Sequence, residues 1–190
     1  MKTEEDIKNT PTSDTDTNER SRTRWMLKTM ERTPMLAELK MTYRRKRPRA
    51  GQAAPVILTS PMSSETYLRT VWDADTIELR EEFVLICLNT ACEVLGWIKL
   101  FTGGIHSNPV DLRLLLGVAL QCASSSIIVA HNHPSGSLTP SEDDRNVTKR
   151  IAKACKLVGL RCLDHVIVTR EGAYSFSERE SWLFQVDGRE

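Results

Sequence analysis

The 190-residue chain lacks any apolar run near the roughly 18–20 residues that cross a bilayer, so no membrane-spanning helix enters the reading. Met1 to Arg20 has no apolar centre of the kind a secretory signal needs, so the expectation is a cytoplasmic protein. Aromatic residues are sparse at 6%, and no CxxC pair occurs among five cysteines, Cys87, Cys92, Cys122, Cys155 and Cys162. An odd, unpaired set in a reducing compartment argues for buried thiols rather than a disulfide frame or a cysteine zinc knuckle. A charge excess is missing too: 26 Lys and Arg face 25 Asp and Glu, for a net charge of +1. That balance excludes a wholly basic nucleic-acid coat protein and a wholly acidic disordered chain. There is no internal repeat.

The balance conceals a division. Residues 1–55 hold 13 basic and 8 acidic side chains, whereas residues 56–190 hold 13 and 17. Residues 1–34 are polar at first and then only scattered with apolar side chains, and read as a disordered or weakly structured tail. Odd-numbered apolar alternation from Met35 to Tyr43 suits an edge strand. Arg44, Arg45, Lys46, Arg47 and Arg49 follow, so residues 35–55 combine that strand with a basic linker. The cluster can tether phosphates of DNA or merely keep a linker solvated. Residues 56–185 have the texture of one folded domain, with 40% apolar residues in the whole chain to supply a core.

Within that domain, Ser60-Pro61 opens a short helix carrying Tyr67, Leu68, Val71 and Trp72. Phe83–Leu88 is a continuous apolar run suited to a strand covered on both faces. Glu93–Phe101 is the next strand, stopped by Gly103-Gly104. Asp111 caps a helix reaching Ala123. Ser126–Ala130 is a buried strand. Ser141–Val158 is a helix with Val147, Ile151, Ala154 and Val158 on one stripe, ended by Gly159. Leu163–Thr169 and Tyr174–Phe176 are strands. This order places the chain in the α/β (α+β) class around one mixed sheet. The four tryptophans, Trp25, Trp72, Trp97 and Trp182, read as packing residues. Lys149, Arg150, Lys153 and Lys156 read as a solvated helix face.

The most informative stretch runs from His131 to Asp144. Two histidines two apart in extended backbone lie on one side of a strand, about 7 Å apart along the chain. Two neutral imidazoles from one side suit a borderline-soft metal such as zinc. Pro134 and Gly136 turn the chain, and Asp144 in the first turn of the following helix can bend back to complete three ligands. A fourth position then stays open to water, the mark of a catalytic rather than a structural zinc. Ser141-Glu142-Asp143-Asp144 is equally a good helix start, so capping and catalysis weigh alike for Ser141. The literal triplet His131-Asn132-His133 is not the HNH nuclease motif, whose residues are dispersed. With three ligands already supplied, His165 reads as a strand histidine hydrogen-bonded by a neighbour, and His106 as a surface residue.

His131-Asn132-His133-Pro134-Ser135-Gly136, ten residues between His133 and Asp144, and Ser141 three residues before Asp144 resemble the RadC branch of the JAB/MPN (JAMM metalloprotease) superfamily. The resemblance extends to Ile77–Phe83, Leu88-Asn89, Gly103-Gly104, Ala119-Leu120, Ala123, Leu163-Asp164-His165 and Tyr174-Ser175-Phe176, and covers about residues 35–180. It implies a single JAB/MPN-like domain, with a mixed β-sheet flanked by helices in a cytidine-deaminase-like layer arrangement. It also implies Zn2+ held by His131, His133 and Asp144. The family's Glu-x-Phe spacing selects Glu81 as general base, with Glu82 as the alternative. Strand alternation lets only one face the metal, leaving the other as a solvated charge. Two departures stand out. Nothing here resembles the helix-hairpin-helix region of full-length relatives, so the chain looks like a short form. Val110-Asp111-Leu112-Arg113 stands where many members have Pro-Arg-Glu or Asp-Pro-Arg.

The implied chemistry is metal-assisted hydrolysis of a peptide or isopeptide bond. Glu81 would move the proton, and Ser141 would donate to the oxyanion. The family's DNA-repair label implies a competing role as a DNA-associated accessory factor, using the metal domain as a scaffold without turnover.

Overall fold

Alternation of side chains along the strands, more than any single motif, sets where everything else lies. The computed structural model describes residues 54–103 and 110–185. Its elements in chain order are α1 (Pro61–Val71), β1 (Glu82–Leu88), β2 (Val94–Thr102), α2 (Leu112–Gln121), β3 (Ser126–Asn132), α3 (Glu142–Leu157), β4 (Arg161–Val168), β5 (Ala173–Ser175) and α4 (Phe176–Arg179), then a 3₁₀ turn, Ser181–Phe184. The five strands form one sheet in the order β2-β1-β3-β4-β5. β3 and β4 run parallel with α3 between them, and the other neighbouring pairs are antiparallel. The mixed sheet flanked by helices agrees with the expected α+β class.

β1 and β3 are buried along their whole lengths, which explains their unbroken apolar runs. Val84, Ile86, Leu88, Ile128 and Ala130 pack on one face with Leu68 and Trp72 of the α1 region. Phe83, Leu85, Cys87, Ile127 and Val129 pack on the other with Leu115 and Ala119 of α2 and Ile151 and Cys155 of α3. In both strands odd-numbered residues therefore face α2 and α3, and even-numbered residues face α1. This parity separates odd-numbered His131 from its even-numbered neighbour Asn132 on β3.

Helix starts follow their local chemistry. Ser60 and Ser63 form a reciprocal capping pair at α1, Asp111 caps α2, and Ser141 with Asp144 does the same at α3. Gly159, at φ +74°, turns the chain after α3 in the left-handed conformation expected there.

Four sequence expectations shift. β3 continues to Asn132, so His131 lies within the sheet. The inner stripe of α3 is Thr148, Ile151, Ala152 and Cys155, whereas Val158 is 42% exposed. A helix that aims Asp144 at the end of the sheet turns positions 148, 151 and 155 inward, at three- and four-residue spacing. The last strand stops at Ser175, whose hydroxyl accepts from the Glu178 N–H and starts α4. Among the described tryptophans, Trp72 is buried, but Trp97 and Trp182 are 45% and 51% exposed. Lys149 lies over the Trp182 ring, 4.6 Å from its centroid.

All five cysteines are free thiols. Among the described residues no helix is long and apolar enough to cross a membrane. The expected tail, edge strand, basic cluster Arg44–Arg49 and His106 fall outside the described residues.

Candidate metal centre

His131 is the penultimate residue of β3, paired opposite Phe83 of β1, whose ring lies parallel to the imidazole at 6.3 Å. His133 lies just past the strand, its N–H donating to the Val168 carbonyl. The turn begins there, where the Gly136 N–H donates to the His133 carbonyl and Gly136 takes φ +76°. This departure from extended backbone tilts the second ring toward the first. The 7 Å spacing of an extended strand becomes a contact, with ring centroids 4.8 Å apart.

Asp144 arrives from the first turn of α3. His131 Nε2 lies 3.0 Å from His133 Nε2 and 3.1 Å from Asp144 Oδ1. His133 Nε2 lies 3.6 Å from Asp144 Oδ2. Ligands about 2.0–2.1 Å from a tetrahedral ion stand about 3.3 Å from one another. The three measured separations straddle that edge length.

Lone-pair direction supports the same fit. His133 Nδ1 lies 2.7 Å from the Ser137 carbonyl oxygen. A carbonyl carries no proton, so Nδ1 donates, and the neutral ring presents a bare lone pair at Nε2. That lone pair faces a carboxylate and a second imidazole nitrogen. Three electron-rich atoms so close repel unless a cation or a proton lies among them. The donor set, two imidazoles and one carboxylate, suits zinc. His131 is 2% exposed, while His133 and Asp144 are 17% and 14% exposed, so access lies on the side away from the sheet.

The electrostatics are consistent with a held positive charge. Burial alone would raise the Asp144 carboxyl, but contacts from His131 and His133, followed by Ser141, hold it well below the carboxylate range. Burial would lower His133. The Asp144 contact, the Ser137 carbonyl and the charges of Asp144 and Glu81 outweigh it and raise the ring.

Ser141 caps α3, its oxygen accepting from the Asp144 N–H at 3.1 Å. Its hydroxyl donates to Asp144 Oδ2 at 2.7 Å, and its backbone N–H reaches the same oxygen at 2.7 Å. The capping reading of Ser141 thus holds, and the cap is also the clamp that aims the carboxylate.

Parity parts the two glutamates. Glu81 precedes β1 on the odd side, partly buried, with its carbonyl accepting from the Gly103 N–H. Continuing the Phe83–His131 register sets it opposite His133. Glu82 lies on the even side and is 0% exposed, with Lys99 Nζ at 2.6 Å and Arg80 Nε at 3.3 Å. The expected solvated charge is therefore a buried ion pair. Between the histidines, Asn132 also faces the even side. Its amide donates to the carbonyls of Ile77 and Arg80, and its oxygen accepts from the Glu82 N–H. It staples the segment that carries Glu81.

His165 is not among the three clustered side chains that could hold a metal ion. It lies behind them in mid-strand, with Nε2 2.8 Å from His131 Nδ1 and Nδ1 2.6 Å from Thr148 Oγ1. Burial, followed by the charge of His131, lowers this ring well below the usual histidine range. Asp164 beside it turns to Ser175 and Ser177. Thr148 escaped the sequence reading. Its signal was the four-residue step from Asp144 on α3.

The family profile described as RadC-like JAB domain matches residues 58–181. A UPF0758 protein of Actinobacillus pleuropneumoniae serotype 5b (strain L20) is 43% identical over 103 residues, covering 54% of this chain and 47% of that protein. One from Saccharophagus degradans is 44% identical over 103 residues, covering 54% and 46%. One from Photorhabdus laumondii subsp. laumondii is 37% identical over 127 residues, covering 67% and 54%. The chain thus spans about half the length of the curated relatives it matches.

Proposed function

The chain belongs to the RadC-like JAB domain family, and from that premise we propose that it is a zinc-dependent hydrolase acting on a peptide or isopeptide bond. The observation that carries the reading is the convergence of His131 Nε2, His133 Nε2 and Asp144 on one point, from a strand end and a helix start. A zinc ion bound there supplies Lewis acidity, bringing the pKa of bound water to about 7.

The chain's own groups do the rest. His131 and His133 direct their lone pairs to one point, and Asp144 adds the negative charge. Glu81 takes a proton from the attacking water and returns it to the leaving amine nitrogen, since a carboxylate beside the site can do both in turn. The Ser141 hydroxyl, now donating to Asp144 Oδ2, donates to the carbonyl oxygen as negative charge grows there. Such a donor contributes about 10²–10³ in rate. Glu82 takes no part, because its carboxylate is spent on Lys99 and Arg80.

Metal analysis of the whole chain, joined to cleavage of a peptide library and of isopeptide-linked pairs, tests this reading. The wild type should hold about one zinc, and His133→Ala should lose it. Glu81→Gln should keep zinc while turnover falls about 10²–10⁴-fold. A wild type without zinc, or a Glu81→Gln variant as active as the wild type, refutes the proposal.

A further inference from the structure

The hydrogen bonds behind His131 run in one direction, and their far end determines it. The Thr148 hydroxyl oxygen lies 2.6 Å from the Asp144 carbonyl oxygen, a separation at which the hydroxyl proton must lie between the two. Thr148 has one proton and has given it away. Toward His165 Nδ1, 2.6 Å off, it can only accept, so Nδ1 carries a proton. The neutral ring then presents a lone pair at Nε2, and that atom lies 2.8 Å from His131 Nδ1. His131 Nδ1 is therefore the donor, and its Nε2 is left bare toward His133 and Asp144.

Among the described residues, aromatic rings line the surroundings of these groups. His165 is 0% exposed and stacks on Phe176 at 4.9 Å, with the rings 17° apart. Phe83 packs against both imidazoles, at 6.3 Å and 5.7 Å. Water is kept from the His131–His165 contact, so losing the acceptor leaves the His131 Nδ1–H unpaired.

We propose that His165 and Thr148 are positioning residues that fix His131 in the tautomer whose Nε2 lone pair faces the metal. This rests on the reading of His131, His133 and Asp144 as a metal centre. Because the chain of bonds ends on the Asp144 backbone, it ties one ligand from the sheet to another on α3. Partners of this kind raise ligand basicity, and losing one typically lowers metal affinity about 10–100-fold.

The test uses the full chain stripped of metal, with zinc affinity read by competition with a chelator. His165→Phe keeps a flat ring but cannot accept, and should weaken zinc binding about 10–100-fold. His165→Gln can accept from His131 and donate to Thr148, and should return affinity to within about threefold of wild type. Thr148→Val keeps the shape of the side chain and removes the hydroxyl. It should weaken binding several-fold and serves where His165→Phe fails to fold. Nitrogen-15 NMR of the metal-free wild type should show neutral His131 protonated at Nδ1, and His165→Phe should lose that bias.

Unchanged affinity in both His165→Phe and Thr148→Val, or His165→Gln as weak as His165→Phe, overturns the proposal. So does an Nε2-protonated His131 in the neutral wild type. A wild type that binds no zinc overturns the metal-centre reading. The NMR result separates that failure from an error in the bond direction, because it needs no metal.

Discussion

Replacing Asn132 with Ala should cost more stability than the loss of one small side chain implies. The side chain is fully buried and uses both ends of its amide: two donations, at 2.6 Å to Ile77 and 2.8 Å to Arg80, and one acceptance, at 2.7 Å from the Glu82 N–H. Truncation strips three backbone groups of a partner at once. A buried polar group left unpaired costs about 1–3 kcal/mol, partly offset because the amide itself no longer has to be buried. A net loss of about 3–5 kcal/mol follows, a large share of the roughly 5–15 kcal/mol of a typical domain. Urea unfolding followed by circular dichroism should show a lower midpoint at unchanged slope. Amide hydrogen exchange at Glu82 gives a local readout, because that N–H loses its acceptor in the variant. A loss below about 1 kcal/mol, or unaltered exchange at Glu82, would show that the segment before β1 is held by something other than Asn132.

Two further outcomes follow from the same geometry. Ser141→Ala removes the α3 cap and should cost about 1–2 kcal/mol in the same urea titration, whereas Ser141→Thr should lose little; equal losses in both would contradict the capping role. Zinc should stabilise the chain more as pH rises from about 6 to about 8. The His133 pKa is raised above its usual value of 6.5, so its contact with Asp144 supports the metal-free fold fully below that value. That support is lost as pH rises through the folded pKa. Zinc needs the deprotonated ring, so that same deprotonation strengthens zinc binding. Melting curves with and without zinc check this, and zinc stabilisation independent of pH over that range counts against the site. At zinc a hundredfold above its dissociation constant, the stabilisation at the upper end should be about 2.7 kcal/mol.

Much of the site was legible because it is local in the chain. His131 and His133 share a strand end, Gly136 supplies the turn, and Ser141-x-x-Asp144 is both a cap and a ligand pattern. One short stretch therefore carries the three donors and their spacing. The strands were legible where burial on both faces left an unbroken apolar run. The inner face of α3 was found at Ile151 but missed at Thr148 and Cys155, since apolarity alone does not reveal that Thr148 points inward. The end of β5 was misplaced because Ser175 caps a helix that begins at Phe176.

By itself the sequence determined the α+β order of elements, the donor set and the family pattern, because these depend on residue types at short separations. Tertiary structure decided what depends on register between distant segments. It left Glu81 at the odd-numbered position just before β1 and buried Glu82 against Lys99 and Arg80. It placed Asn132, 50 residues from Glu82, as the acceptor of that residue's N–H. It also brought His165, 34 residues from His131, to the back of the His131–His133–Asp144 cluster. A hydrogen bond between such residues exists only once strand pairing and the packing of α3 have fixed which faces meet. No local pattern encodes that meeting.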